Sequence, residues 1–186
     1  MGLIDCFTLD LKSRDARHYT FAEIVERLFL KYGYRVIVYY RLAMYLKNVR
    51  VLRPMAKLVS VLLLVRIARV PGVEIRAVNE IGPGFMTFHP HDIVIGAGAK
   101  VGRNVTIYNG VTLGAKSFEE LDDSKDVLSD YPTIEDDVTI FTGAKLIGPI
   151  TIGRNSVVGA NSVVLESFPP DSVIAGVPAR IVGRRE

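Results

Sequence analysis

The stretch Ile95-Gly96-Ala97-Gly98-Ala99-Lys100-Val101-Gly102-Arg103-Asn104-Val105-Thr106-Ile107-Tyr108-Asn109-Gly110-Val111-Thr112-Leu113-Gly114 places an aliphatic residue at every sixth position: Ile95, Val101, Ile107 and Leu113. The series resumes at Ile134, Ile140, Leu146, Ile152, Val158 and Val164, and Ile75 and Ile81 keep the same spacing upstream. Two residues before most of these sits a small or branched apolar residue or a serine: Ala99, Val105, Val111, Val138, Ala144, Ile150, Ser156, Ser162. Six is a multiple of the strand period of two, so positions i and i−2 point to the same side. It fits a helical period of 3.6 badly. Turn pairs such as Arg103-Asn104 and Arg154-Asn155 let the chain corner between short strands. If three steps make a coil, each aliphatic stacks on its counterpart three steps later, about 4.8 Å below, in a parallel ladder. The expected fold is mainly β, a stacked solenoid.

The 186 residues are 49% hydrophobic and 23% charged, which supports a substantial core and excludes a disordered or collagen-like chain. A single cysteine, Cys6, leaves no disulfide framework and no cysteine cluster for zinc. The N-terminus lacks the basic start and apolar run of a signal peptide, so a cytoplasmic location is expected. Charge divides unevenly. Residues 1–70 hold 13 Lys/Arg against 5 Asp/Glu, a net +8, whereas residues 71–186 hold 10 against 15, a net −5. Two differently built regions follow: a helical region over 1–70 and the solenoid over 71–186, with an extruded loop at 116–131.

In the basic region, residues 20–31 read as a helix capped by Thr20, and a second helix runs from Tyr34 to about Lys47 with Val38, Leu42 and Tyr45 on one stripe. Pro54 suits the first turn of a third helix reaching about Ala68. Lys57 and Arg66 leave eight uncharged residues between them, far short of the roughly 20 that a bilayer span needs. Two readings stay open for this region: a cap packed on the solenoid or on a partner subunit, or a peripheral surface against an anionic membrane. No recognition motif supports nucleic acid as a partner.

The repeat breaks twice. Ile81 and Ile95 lie 14 apart rather than 12, around Phe88-His89-Pro90-His91-Asp92. Leu113 and Ile134 lie 21 apart rather than 18, across a charged stretch from Ser117 to Asp126 that ends at Asp130-Tyr131-Pro132. Such an insertion reads either as a loop folding over a site or as a tolerated surface excursion. His89 and His91 could share one strand face, but zinc sites want three or four ligands and the remaining histidine, His18, is in the helical region, so no metal is expected. A sugar nucleotidyltransferase would need a large nucleotide-binding domain in front, and no Gly-rich phosphate loop is present.

The run Gly84-Phe85-Met86-Thr87-Phe88-His89, then Ile93-Val94-Ile95-Gly96, Gly110-Val111-Thr112-Leu113-Gly114 and Ala175-Gly176-Val177-Pro178-Ala179-Arg180-Ile181-Val182-Gly183, resembles the serine acetyltransferase branch of the hexapeptide-repeat acyltransferases. The resemblance covers roughly residues 72–184. It implies a left-handed parallel β-helix, a homotrimer, and acetyl-CoA bound as co-substrate between subunits. It places His89 as general base and Glu74 as the acidic residue orienting it. The chemistry is sensible: a hydroxyl attacking a thioester must shed its proton, and imidazole titrates near working pH. The positions matching the cofactor groove are Ala115, Thr142, Gly143 and Ala160, with Lys145, Arg180 and the terminal Arg184-Arg185 available for phosphates.

On the acceptor side the chain departs from the family. An aspartate directly before the catalytic histidine is here Phe88, and an arginine–histidine pair before the returning proline is here Asp130-Tyr131. Aspartate in place of arginine repels a carboxylate, and phenylalanine holds no ammonium ion. With Phe88, His91, Asp92 and Tyr131 as acceptor-side residues, an aromatic floor with polar neighbours therefore suggests a saccharide hydroxyl, in the manner of polysaccharide-associated O-acetyltransferases. Serine O-acetylation in cysteine biosynthesis is the alternative. A non-catalytic trimeric scaffold is the alternative from another class.

Overall fold

The computed structural model describes residues 9–10, 32–48, 53–68, 72–75, 80–116 and 127–186. The helix expected over 20–31, Cys6, His18 and the loop segment Ser117–Asp126 lie outside them.

Every aliphatic of the six-residue series is buried, from Ile81 at 8% exposure to Leu113, Leu146 and Val158 at 0%. The i−2 series is buried with it, Ser156 and Ser162 included. Short parallel strands close three sheets around this core. The first face stacks β1 (Val73–Ile75), β4 (Ile93–Ile95), β7 (Thr112–Gly114), β10 (Lys145–Ile147) and β13 (Val163–Val164). The second stacks β2 (Glu80–Ile81), β5 (Lys100–Val101), β8 (Thr133–Ile134) and β11 (Thr151–Ile152). The third stacks β3 (Met86–Phe88), β6 (Thr106–Tyr108), β9 (Thr139–Ile140), β12 (Val157–Val158) and β14 (Ser172–Gly176), finished by antiparallel β15 (Ala179–Arg184). The chain visits the three faces in turn. This is a parallel β-solenoid of about four turns.

Register gives the breaks their true size. Ile95 pairs with Leu113 and Leu146 with Val164, one regular coil of three steps apart. Leu113 instead pairs with Leu146, nearly twice as far along the chain. The whole insertion therefore falls in a single step between the first and second faces, and is much longer than the three extra positions that counting along the repeat suggests. The earlier break is two residues, at the corner His89–Asp92 between β3 and β4, where Thr87 takes the inward position.

The corners explain the asparagines and aspartates of the repeat. Asn104, Asp137, Asn155 and Asp171 all hold positive φ, between 52° and 61°, where short polar side chains are tolerated. Asn104 Nδ2 donates to Asp137 Oδ1 at 3.1 Å, and Asn155 Nδ2 to Asp171 Oδ1 at 2.7 Å. Alternating amide and carboxylate along one edge avoids stacking like charges. Because the interior is dense, Ile140→Val should lower the free energy of unfolding by about 1 kcal/mol, measured by urea titration; an unchanged midpoint would contradict this packing.

Two helices precede the solenoid: α1 (Tyr32–Asn48) and α2 (Arg53–Ala68), the latter with Pro54 in its first turn as expected. Ser60 Oγ donates to the Ala43 carbonyl at 3.0 Å and ties them together. The inward stripe of α1 is Val36, Ile37, Tyr40, Arg41 and Ala43, not Val38, Leu42 and Tyr45; Tyr45 is 52% exposed. The pattern misleads because a buried arginine stands in the true stripe. Arg41 pairs with Asp10 at 2.9 Å and donates to the carbonyls of Ile81 and Gly82 at 2.6 and 2.5 Å. Asp10 Oδ1 in turn accepts from the amides of Gly84 and Phe85. The cluster bolts the helices to the first coil. Burial is the main reason that the neighbouring Tyr40 phenol is raised to about 12, with Arg41 opposing and Glu80 adding to the rise. On α2, Met55, Leu58, Val61 and Leu62 face outward. Among the described residues no helix is long and apolar enough to cross a membrane.

Candidate functional site

The corner between the third and first faces is built from stacked turns. His89–Asp92 lies uppermost, Asn109–Gly110 below it, then Thr142–Gly143, then Ala160–Asn161. Backbone bonds join them in sequence: Gly110 N to His91 O at 3.0 Å, Gly143 N to Asn109 O at 2.9 Å, and Asn161 N to Thr142 O at 2.8 Å. The Thr142 hydroxyl also donates to the Asn109 carbonyl. Thus His89 and three of the four positions likened to a cofactor groove, Thr142, Gly143 and Ala160, fall on one edge of the solenoid, and the fourth, Ala115, does not.

His89 is exposed and its ring is not packed in the interior. Its φ is +49°, an uncommon conformation for a residue with a side chain, costing about 1–2 kcal/mol. A tight turn holds it, with the His91 amide donating to the His89 carbonyl at 2.8 Å. Asp92 is likewise left-handed at +55° and 78% exposed, with Oδ2 3.5 Å from His91 Nδ1. Gly72 makes room for that turn: a Cβ there would collide with Asp92 Oδ1. Glu74 lies on β1 in register with Val94, on the outward side of the first face, one coil above β4.

Phe88, the last residue of β3, is not a lone aromatic floor. Its ring stacks on Tyr108 (centroids 5.1 Å, 22° between planes), and Tyr108 stacks on Phe141 (5.0 Å, 23°). Sequence inspection missed this column. All three residues directly follow the inward position of a third-face strand. The two breaks give them unequal separations along the chain, so no fixed period reveals them.

Other sequence-named residues lie elsewhere. Tyr131 sits at the next corner, between the first and second faces, seated against Gly96 and Gly98; a Cβ on either would collide with its ring. It lines a depression of about 430 Å³ with Glu80, Lys100 and Leu128, and not with His89. Within one chain the structure does not bring Tyr131 to the His89 corner. Ala115 follows β7 at the same edge as Tyr131. Lys145 Nζ is engaged by the Gly110 carbonyl at 2.5 Å and the Thr112 hydroxyl at 3.1 Å, and Arg180 by Glu166 at 2.8 Å. Both cations therefore hold the chain's own acceptors in this conformation. Among the described residues no group of three or more His, Cys, Asp or Glu is placed to hold a metal ion.

Comparison with known proteins matches residues 131–166 to the family model "Bacterial transferase hexapeptide (six repeats)". A serine acetyltransferase of Bacillus licheniformis is 43% identical over 111 residues, 60% of this chain and 48% of that protein. The chain thus spans about half the length of that relative. Among solved structures, a serine acetyltransferase in complex with CoA superposes with a TM-score of 0.75 at 32% identity, over 97% of this chain and 69% of the other. A Neisseria gonorrhoeae serine acetyltransferase in complex with serine gives 0.76 at 32% identity, over 97% and 69%. These relatives overturn both the saccharide acceptor and the likeness to polysaccharide-associated enzymes expected from Phe88. Phe88 stacks on Tyr108, so it is the end member of a column and not the lone acceptor-side floor read from the sequence. By fold, repeat and kinship along nearly its whole length, the chain belongs to the serine acetyltransferase family of hexapeptide-repeat transferases.

Proposed function

We propose that the protein transfers the acetyl group of acetyl-CoA to the hydroxyl of serine, as a homotrimer. The observation that carries this reading is the shared edge, on which an exposed imidazole in a constrained turn stands above the half-buried turn Thr142–Gly143 and the exposed turn Ala160–Asn161. Small residues let an extended pantetheine arm lie along the coil edges, and acetyl-CoA supplies the activated thioester carbonyl. His89 accepts the proton of the serine hydroxyl through one ring nitrogen as the new carbon–oxygen bond forms. The imidazolium then returns that proton to the departing sulfur, so the base is regenerated. A carboxylate facing the other ring nitrogen would fix the tautomer and stabilise the cation, the role proposed for Glu74. Of the acceptor-side groups, the exposed Asp92 carboxylate has the charge to meet the serine ammonium, which Phe88 lacks.

The test is release of free thiol from acetyl-CoA by the purified protein with and without L-serine. Serine-dependent release supports the reading, and its absence sinks it. Acetyl-CoA that fails to bind would instead favour a non-catalytic scaffold. Glu74→Gln should lower kcat about tenfold or more while leaving acetyl-CoA binding by calorimetry within about twofold. Equal loss of both would remove Glu74 from its orienting role. Peripheral contact of the helical region with an anionic bilayer is a separate reading, supported by the net +8 of residues 1–70 and the outward apolar residues of α2. Sedimentation with anionic liposomes at low and high salt tests it, and binding insensitive to salt, or none, ends it.

A further inference from the structure

The aromatic column on the third face takes no part in the proton transfer described above. We propose that Tyr108 and Phe141 are positioning residues for His89, acting through Phe88, an inference that rests on His89 being the base.

A φ of +49° costs a residue with a side chain about 1–2 kcal/mol, and surroundings that hold the turn offset that cost. The following side is held by backbone. His91 N donates to His89 O at 2.8 Å, and Gly110 N to His91 O at 3.0 Å. The preceding side ends with Phe88, where β3 stops. Phe88 is 41% exposed, so burial alone does not fix its side chain. Stacking does. Its ring lies 5.1 Å from Tyr108, which lies 5.0 Å from Phe141, itself 38% exposed. Each ring is carried where a parallel strand ends, in register across three coils, with Phe88 paired to Tyr108. Strand spacing of about 4.8 Å is close to the distance at which aromatic rings stack, so the column is commensurate with the solenoid. Tyr108 is the middle member, and removing its ring breaks both contacts at once. The column thus converts the rigidity of three coils into a fixed exit direction for the chain entering the His89 turn.

Steady-state kinetics, thermal midpoint and sedimentation of Tyr108→Leu and Tyr108→Phe test this, with His89→Ala measured in parallel. Leucine keeps apolar volume but cannot stack, whereas phenylalanine keeps the ring. Tyr108→Leu should lose about tenfold in kcat with KM for acetyl-CoA within about twofold, and Tyr108→Phe should match the wild type. Phe141→Leu, at the far end of the column, should lose less, about threefold, and keeps the inference testable if Tyr108→Leu misfolds. Wild-type kcat in Tyr108→Leu, or equal impairment in Tyr108→Phe, would overturn the proposal. So would a change in sedimentation on losing the ring, because the column would then be joining copies and not orienting a turn. Turnover that persists in His89→Ala is a different failure: it removes the base itself.

Discussion

His89→Ala should turn over acetyl-CoA and serine about 10²–10⁴-fold more slowly than the wild type while still binding acetyl-CoA. The magnitude follows from removing a general base from an attack whose nucleophile, an alcohol, is almost wholly protonated near neutral pH. Retained binding follows from geometry. Thr142, Gly143 and Ala160 lie on turns below the His89 turn and are joined to it through backbone bonds and the Thr142 hydroxyl, none of which uses the His89 side chain. An alanine also meets the strain of the left-handed backbone, so the thermal midpoint should fall only slightly. Calorimetric titration with acetyl-CoA beside thiol-release kinetics separates the two effects. Parallel loss of binding and turnover would mean that His89 supports the edge and not the chemistry.

Arg41→Ala should destabilise the protein by about 3–5 kcal/mol, lowering Tm by about 10 °C. Arg41 and Asp10 are 8% and 3% exposed. Deleting the guanidinium leaves the Asp10 carboxylate buried without its counter-charge and strips donors from the carbonyls of Ile81 and Gly82. Unpaired buried charge is the costly state, whereas an apolar pair of similar volume is tolerated far better. The double variant Arg41→Met with Asp10→Leu should therefore recover part of the loss. A single variant within about 1 kcal/mol of wild type would show that the helices do not depend on this cluster.

Much of the solenoid was legible without coordinates. A hydrophobic period of six has one economical solution, since alternate residues must share a face and the chain must turn every few residues; all the aliphatics named from that period are buried. The three-sided stacking followed with it. The boundaries of α1 and α2 came within about two residues, but the inward face of α1 did not, because hydrophobic patterning assigns an arginine to solvent. Only contact with Asp10 and two carbonyls makes Arg41 a core residue. Likewise the family likeness singled out Phe88 as a departure, yet its partners could not be read, because insertions had shifted them out of any common spacing.

Local chemistry and periodicity are properties of the chain itself, and they were enough to determine a parallel coil, its inward residues and a histidine set in a break of the repeat. The placing of that histidine above Thr142, Gly143 and Ala160, the separation of Tyr131 to another corner, and the stacking of Phe88 on Tyr108 and Phe141 were decided only by the tertiary structure. The physical reason is register. Pairing across coils is set by how loops of unequal length close between strands, and the long insertion after Leu113 changes what meets what without altering a single hydrophobic step on either side.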